Sequence, residues 1–209
     1  MGGRSAWLPG VAGALALVAV AALQTGGAEA NPQRLAHLSE MGATTAPIGW
    51  RQFCRDYPVE CRARPARIES LSLTRAAWAE LVRINAHVNT TITPVTDIDQ
   101  YGVDEVWTYP TSGRGDCEDY VLLKKQLLIR AGLPASALLI TVVRDRKGDG
   151  HAILTVRTDR GDYILDNETD EIRLWHQTGY RFVKRQSQGD PDQWVTIGPG
   201  SAPAAVASQ

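Results

Sequence analysis

From Asp116 to Ala131 the chain carries Tyr120, Leu123, Leu127 and Leu128 at helical spacing, and Gly132 with Pro134 stops the pattern. Three apolar β segments follow: Leu138 to Val143, His151 to Arg157 and Tyr163 to Asp166. They are separated only by the turn-rich stretches Asp145-Arg146-Lys147-Gly148-Asp149-Gly150 and Asp159-Arg160-Gly161, which read as hairpin turns. A helix followed by an antiparallel meander restricts the chain to an α+β fold with the helix packed on the sheet. Tyr180 to Lys184 and Trp194 to Ile197 are two further strand candidates that would complete the sheet.

Upstream, Thr74 is placed to cap a second helix, with Leu73 and Trp78 as its hydrophobic staple. Trp78, Leu81, Val82, Asn85 and Val88 recur along it, and the pattern ends near Asn89. Thr90 to Trp107 has isolated apolar residues among Pro94, Asp97, Asp99, Gly102 and Asp104, and reads as an ordered loop forming one wall of a cleft. Residues 31–66 lack periodicity and read as an irregular N-terminal wrap; residues 67–198 then hold the core. Residues 199–209 are Gly, Pro, Ala and Ser with little else, the composition of a disordered tail. Residues 1–30 read as a cleavable signal peptide: Arg4 at the start, small apolar residues from Gly10 to Leu23, and Ala28-Glu29-Ala30 as the cleavage site. The apolar stretch is short for a bilayer span, so no membrane insertion is expected after cleavage.

With 22 Lys and Arg against 23 Asp and Glu, the formal charge is −1, and no basic stripe suggests nucleic acid or an anionic membrane surface. Export would place the three cysteines in an oxidising compartment. Cys54 and Cys61, close in sequence with Pro58 between them, are the natural disulfide. Cys117 is left as the odd thiol.

That thiol stands in Gly115-Asp116-Cys117-Glu118-Asp119-Tyr120, in the first turn of the helix. There the macrodipole and unbonded backbone N–H groups favour a thiolate. A downstream histidine, His151, can hold the proton, and Asp166 can orient the imidazole. His37, His87 and His176 are the rivals, of which His176 is the strongest. If Arg157 pairs with Asp162 in the hairpin, Asp166 falls opposite Ile153 on the face of His151, a diagonal neighbour within side-chain reach. A slip of one residue would remove it. Asp116, Glu118 and Asp119 set three negative charges beside a sulfur that must itself become negative, which raises its pKa unless something positive sits there. A hard cation on carboxylate oxygens meets that need, and calcium fits such ligands.

These residues resemble the bacterial transglutaminase-like cysteine proteinases, a branch of the papain-like and transglutaminase superfamily. The resemblance rests on Gly49-Trp50, the Phe53-Cys54 to Cys61 loop, Leu81 through Asn85 with Asn89, the Gly-Asp-Cys-Glu-Asp-Tyr run, His151-Ala152-Ile153-Leu154, and Gly161-Asp162-Tyr163-Ile164-Leu165-Asp166-Asn167. It implies a papain-like, transglutaminase-like core in which Cys117 is the nucleophile, His151 the base and then acid, and Asp166 the orienting group. It implies calcium on Asp116 and Glu118, with Asp119 a lesser candidate. The best-understood relatives are calcium-dependent periplasmic proteases that cut large surface adhesins and release biofilms, and some are held by an inner-membrane receptor. Nothing in this chain's residues points to such a receptor.

Attack of the thiolate on an amide carbonyl would form an oxyanion, for which the Cys117 N–H is one donor and Asn85 or Trp107 the candidate second. Water or an amine can take the acyl group from the thioester. The residues do not choose between them and the resemblance favours water, so a hydrolase is the first expectation, an acyl transferase or peptide amidase the second, and a catalytically silent binding module the third.

Overall fold

The computed structural model describes residues 1–3, 36–62 and 67–198, so most of the expected leader and all of the expected tail lie outside the described residues. The elements run β1 (Ser39–Thr44), α1 (Ile48–Asp56), α2 (Arg75–Thr91), β2 (Thr93–Pro94), α3 (Asp97–Tyr101), β3 (Arg114–Gly115) and α4 (Cys117–Arg130). Then come β4 (Leu138–Arg144), β5 (Gly150–Thr158), β6 (Gly161–Leu165), β7 (Arg173–Leu174), β8 (Arg181–Gln186) and β9 (Trp194–Gly198).

Seven strands form one sheet in the order β1-β9-β8-β4-β5-β6-β7, every neighbouring pair antiparallel. α4 lies on β5 and β4 and against α2. Leu81, Ile84 and Val88 of α2, Val121, Leu122 and Leu128 of α4, and Leu138, Ile140, Leu154, Val156 and Leu165 of the sheet close the core between them. The other face of the sheet is covered by a smaller cluster, Leu38, Val143, Ile153, Ile164, Trp175, Phe182 and Ile197.

The capping expectation for α2 holds, since the Ala77 N–H donates to Thr74 Oγ1 at 3.1 Å. Val82, however, is exposed, and Ile84 takes its place in the core. Val82 sits about 100° round the helix from Leu81, outside the stripe that Leu81, Ile84 and Val88 bury.

The N-terminal segment is not irregular where it is described. β1 pairs with β9 at the sheet edge, and α1 packs Trp50 and Phe53 into the core. The strand escaped the pattern because its central residues are exposed, so no apolar alternation marks it. α1 is held by aromatic contacts: Trp50 meets Trp107 and Trp194 at 6.2 Å, and Phe53 meets Tyr57 at 4.7 Å. Gly49 is required there, because a β-carbon would come 2.1 Å from the Trp107 ring. Cys54 and Cys61 form the expected disulfide, with Cα atoms 5.6 Å apart, closing the loop after α1.

The stretch expected as a loop from Thr90 to Trp107 holds the end of α2, β2 and the five-residue α3. Thr96 caps α3 by accepting from Asp99 N, and Gly102 ends it in the left-handed region at φ 76°. β2 runs parallel to β3, Thr93 beside Arg114 and Pro94 beside Gly115, which ties this wall to the start of α4.

Candidate active site

Cys117 is the first residue of α4, preceded by Asp116 in extended conformation as the cap residue. It opens into a cleft of about 480 Å³ that is also lined by Asp97, Asp104, Glu105, Trp107, Asp116, Glu118, His151, Ala152 and Lys184. His151 enters this cleft from the start of β5. The β5–β6 ladder pairs Arg157 with Asp162 and Leu154 with Leu165, the register in which Asp166 comes diagonal to His151. Asp166 itself lies one residue past the end of β6 rather than within it. Its Oδ1 is 2.9 Å from His151 Nε2, both side chains being almost wholly buried. Nδ1 is therefore the imidazole nitrogen left for the cleft.

Oδ1 of Asp166 also accepts from the Glu168 N–H at 3.1 Å, and Oδ2 accepts from the Tyr180 hydroxyl at 2.6 Å. Burial pushes this carboxyl up, but the His151, Tyr180 and Glu168 donors outweigh it and hold it below its ordinary value. Asp166 is thus an ionised acceptor for an imidazole proton.

The surroundings of the sulfur are the reverse. Cys117 Sγ donates to Glu118 Oε2 at 2.9 Å. Burial, then the Glu118 charge and this bond, push the thiol well above its ordinary range, and the Ala152 backbone N–H works against them. Glu118 is raised to about 9 by burial and by Asp116, and Asp119 to about 8 by burial. Asp97, in the stretch whose composition reads as a loop, is buried among them and raised to about 6 by burial. Two groups of ligand atoms share Asp116: Asp116 with Cys117 and Glu118, and Asp116 with Asp97 and Asp119, each within 4.8 Å.

Several of these oxygens are already ordered by the backbone. Asp119 Oδ1 accepts from Thr108 N at 3.0 Å, Asp97 Oδ2 from Val106 N, and Asp116 Oδ2 from Asp97 N at 3.3 Å. Asp116 Oδ1 and Asp119 Oδ2 are buried with no hydrogen-bond partner. Gly115 leaves room for this arrangement, since a β-carbon there would lie 2.4 Å from Asp119 Oδ2. Unpartnered buried carboxylate oxygens at the start of α4, with the Asp97 carboxylate beside them from α3, fit a hard cation. The signal for Asp97 was the Thr96-to-Asp99 capping pattern, which marks a short helix where composition alone suggests a loop.

Of the two candidate oxyanion donors, Trp107 lines the cleft and Asn85 does not. The Asn85 amide is spent on the carbonyls of Thr169 and Asp170, and the side chain is fully buried between α2 and that loop. Trp107 Nε1 donates to Glu105 Oε2 at 3.2 Å, and Glu105 has φ 62°, among the described residues the only positive φ outside glycine. Such a conformation at a cleft wall stores about 1–3 kcal/mol of strain. His37 bonds Asp162 near the turn end of the β5–β6 hairpin, away from His151, and His176 packs on Trp175; neither lies among the residues lining the cleft.

The family model of the bacterial transglutaminase-like cysteine proteinases matches residues 40–202. The chain belongs to this family. It is a transglutaminase-like cysteine proteinase with an α+β core. Among solved structures, calcium-bound LapG of Legionella pneumophila is 21% identical with a TM-score of 0.51, over 66% of this chain and 78% of that one. EGTA-treated LapG is 23% identical with a TM-score of 0.50, over 64% and 74%. At these identities the likeness is one of fold. A search of curated protein sequences gave no match. Among the described residues no helix is long and apolar enough to cross a membrane.

Proposed function

We propose that this proteinase is a calcium-dependent endopeptidase of the periplasm that uses Cys117, His151 and Asp166 on protein substrates. The observation that carries the reading is a helix-start thiol sharing a cleft with an imidazole whose far nitrogen is fixed by a buried, ionised carboxylate. His151 Nδ1 takes the Cys117 proton, and the sulfur attacks the amide carbonyl. The imidazolium then gives that proton to the leaving amine, and water, deprotonated by His151, hydrolyses the thioester. The backbone N–H of Cys117, in the first turn and therefore outside the helical ladder, is the first proposed oxyanion donor; Trp107 Nε1, whose one hydrogen is on Glu105 Oε2, is the proposed second on exchanging that acceptor for the oxyanion.

Asp116 and Glu118, joined by Asp97 and Asp119, are the proposed calcium ligands. Bound calcium would supply the positive charge that lets these acids ionise beside the sulfur. Glu118 then has two claims on it, since it is also the acceptor of the Cys117 thiol. A Glu118 carboxylate engaged elsewhere leaves the thiol proton to His151. The calcium-bound and EGTA-treated LapG structures support choosing calcium among hard cations. The leader pattern over residues 1–30 supports export, and the family resemblance supports a large surface adhesin or envelope protein as substrate.

The test is incubation of the purified protein with cell-envelope and secreted proteins, followed by mapping of new N-termini. Calcium-dependent cleavage that Cys117→Ala abolishes and Asp166→Asn impairs mainly in kcat is the expected result. Cleavage that survives Cys117→Ala, or that continues in excess chelator, refutes the nucleophile or the metal respectively.

A further inference from the structure

Asp166 is held from a side that the triad does not use. Tyr180, the residue just before β8, donates its hydroxyl to Asp166 Oδ2 at 2.6 Å, the shortest hydrogen bond to that carboxylate. Its ring meets the His151 ring edge-on, with centroids 5.6 Å apart and planes at 60°. One side chain therefore touches both members of the dyad. It lines a second hollow of about 320 Å³, shared with Asp145, Arg146, Asp166, Glu168 and Arg173, to which Cys117 does not contribute.

We propose that Tyr180 is a positioning residue of the catalytic dyad, acting on His151 through Asp166. A carboxylate with one oxygen on an imidazole can rotate about its Cβ–Cγ bond and lose that alignment, and the Tyr180 hydroxyl anchors the other oxygen against such rotation. The geometry of the remaining contacts agrees. Oδ1 is shared by His151 Nε2 and the Glu168 N–H, while Tyr180 is the side-chain donor on Oδ2. Burial and the neighbouring Asp166 and Glu168 push the phenol above its ordinary range, so it stays a donor. Glu168 Oε2 lies 3.1 Å from the same hydroxyl and is the longer, competing acceptor. The edge contact with the imidazole limits tilting of the ring, so removal of the hydroxyl alone leaves packing in place.

This inference rests on the proposed triad, and a double-mutant cycle separates the two. Tyr180→Phe keeps the ring and deletes only the donor. In the calcium-loaded protein it should lower kcat about tenfold with KM nearly unchanged, and slow alkylation of Cys117 by iodoacetamide at neutral pH by a similar factor. In an Asp166→Ala background, where no acceptor remains, the same change should cost less than twofold in either readout. The assignment is overturned if Tyr180→Phe leaves kcat and alkylation at wild-type rates. It is also overturned if its loss multiplies undiminished in the Asp166→Ala background, which would mark a structural role. Full activity in Asp166→Ala by itself would overturn the triad beneath it, and Tyr180's role with it.

Discussion

The raised acids beside Cys117 tie folding stability to pH and calcium in a direction opposite to that of most carboxylates. Asp119 titrates near 3.8 when unfolded and at about 8 in the fold, through burial first, and Glu118 moves likewise from 4.5 to about 9. Between those values the folded state holds a proton that the unfolded chain has lost. Stability without metal therefore falls as pH rises through the window. Counting Asp119 alone across pH 5 to 7, two pH units at about 1.36 kcal/mol each give about 2.7 kcal/mol. For a chain of this size that is a fall in Tm of about 5–10 °C. Lys124, lowered to about 7 by burial, works in the other direction but only above this window. Calcium held by the proposed ligands would keep the same acids ionised in the fold and remove the proton difference, so its stabilising effect should grow with pH. The assay is thermal unfolding followed by circular dichroism at pH 5, 6 and 7, in EGTA and in millimolar calcium. The expected result is a falling Tm in EGTA, a flatter one in calcium, and a larger calcium gain at pH 7 than at pH 5. A Tm in EGTA that holds or rises across the window, or a calcium gain equal at both ends, refutes the reasoning.

Two further outcomes follow from side chains away from the dyad. Lys124, wholly buried on α4 with no hydrogen-bond partner for its Nζ, imposes a cost that is complete below pH 7 and fades toward 10.5. Lys124→Met should thus raise stability by about 1–3 kcal/mol at pH 6 and by little at pH 10, read from urea midpoints; a loss at pH 6 would mean that its attraction to Asp166 and Asp170 dominates. Trp107→Phe keeps most of the aromatic packing but deletes Nε1, and should lower kcat about 100-fold with KM little changed; an unaltered kcat would exclude Trp107 as the oxyanion donor.

What the sequence made legible was whatever is encoded locally. The α4 pattern with its Gly132 stop, the Thr74 cap and the hairpin turns each depend on a few adjacent residues, and the β5–β6 register followed from requiring His151 and Asp166 on one face. The crowding of acids around Cys117 was equally visible, because Asp116, Glu118 and Asp119 are its neighbours in the chain. Long-range partners were not. Asp97 joins the acids only because β2 and β3 pair and bring the α3 wall to the start of α4. Tyr180 reaches Asp166 from beside β8, two strands away from β5 in the sheet. Asn85 is an oxyanion candidate in the sequence, yet its amide faces the 169–170 loop, a direction set by how α2 seats on that loop. β1 was missed because an exposed edge strand has no alternation to read.

The central claim is that His151, oriented by Asp166, ionises Cys117 once the neighbouring acids are neutralised. The most direct measurement needs no substrate: the rate of iodoacetamide labelling of Cys117 against pH, in calcium and in EGTA, for the wild type and His151→Ala. Rapid labelling near neutral pH in calcium, lost on chelation and lost in His151→Ala, is the expected result. Labelling that rises only above pH 9 in every case, indifferent to both His151 and calcium, would contradict it.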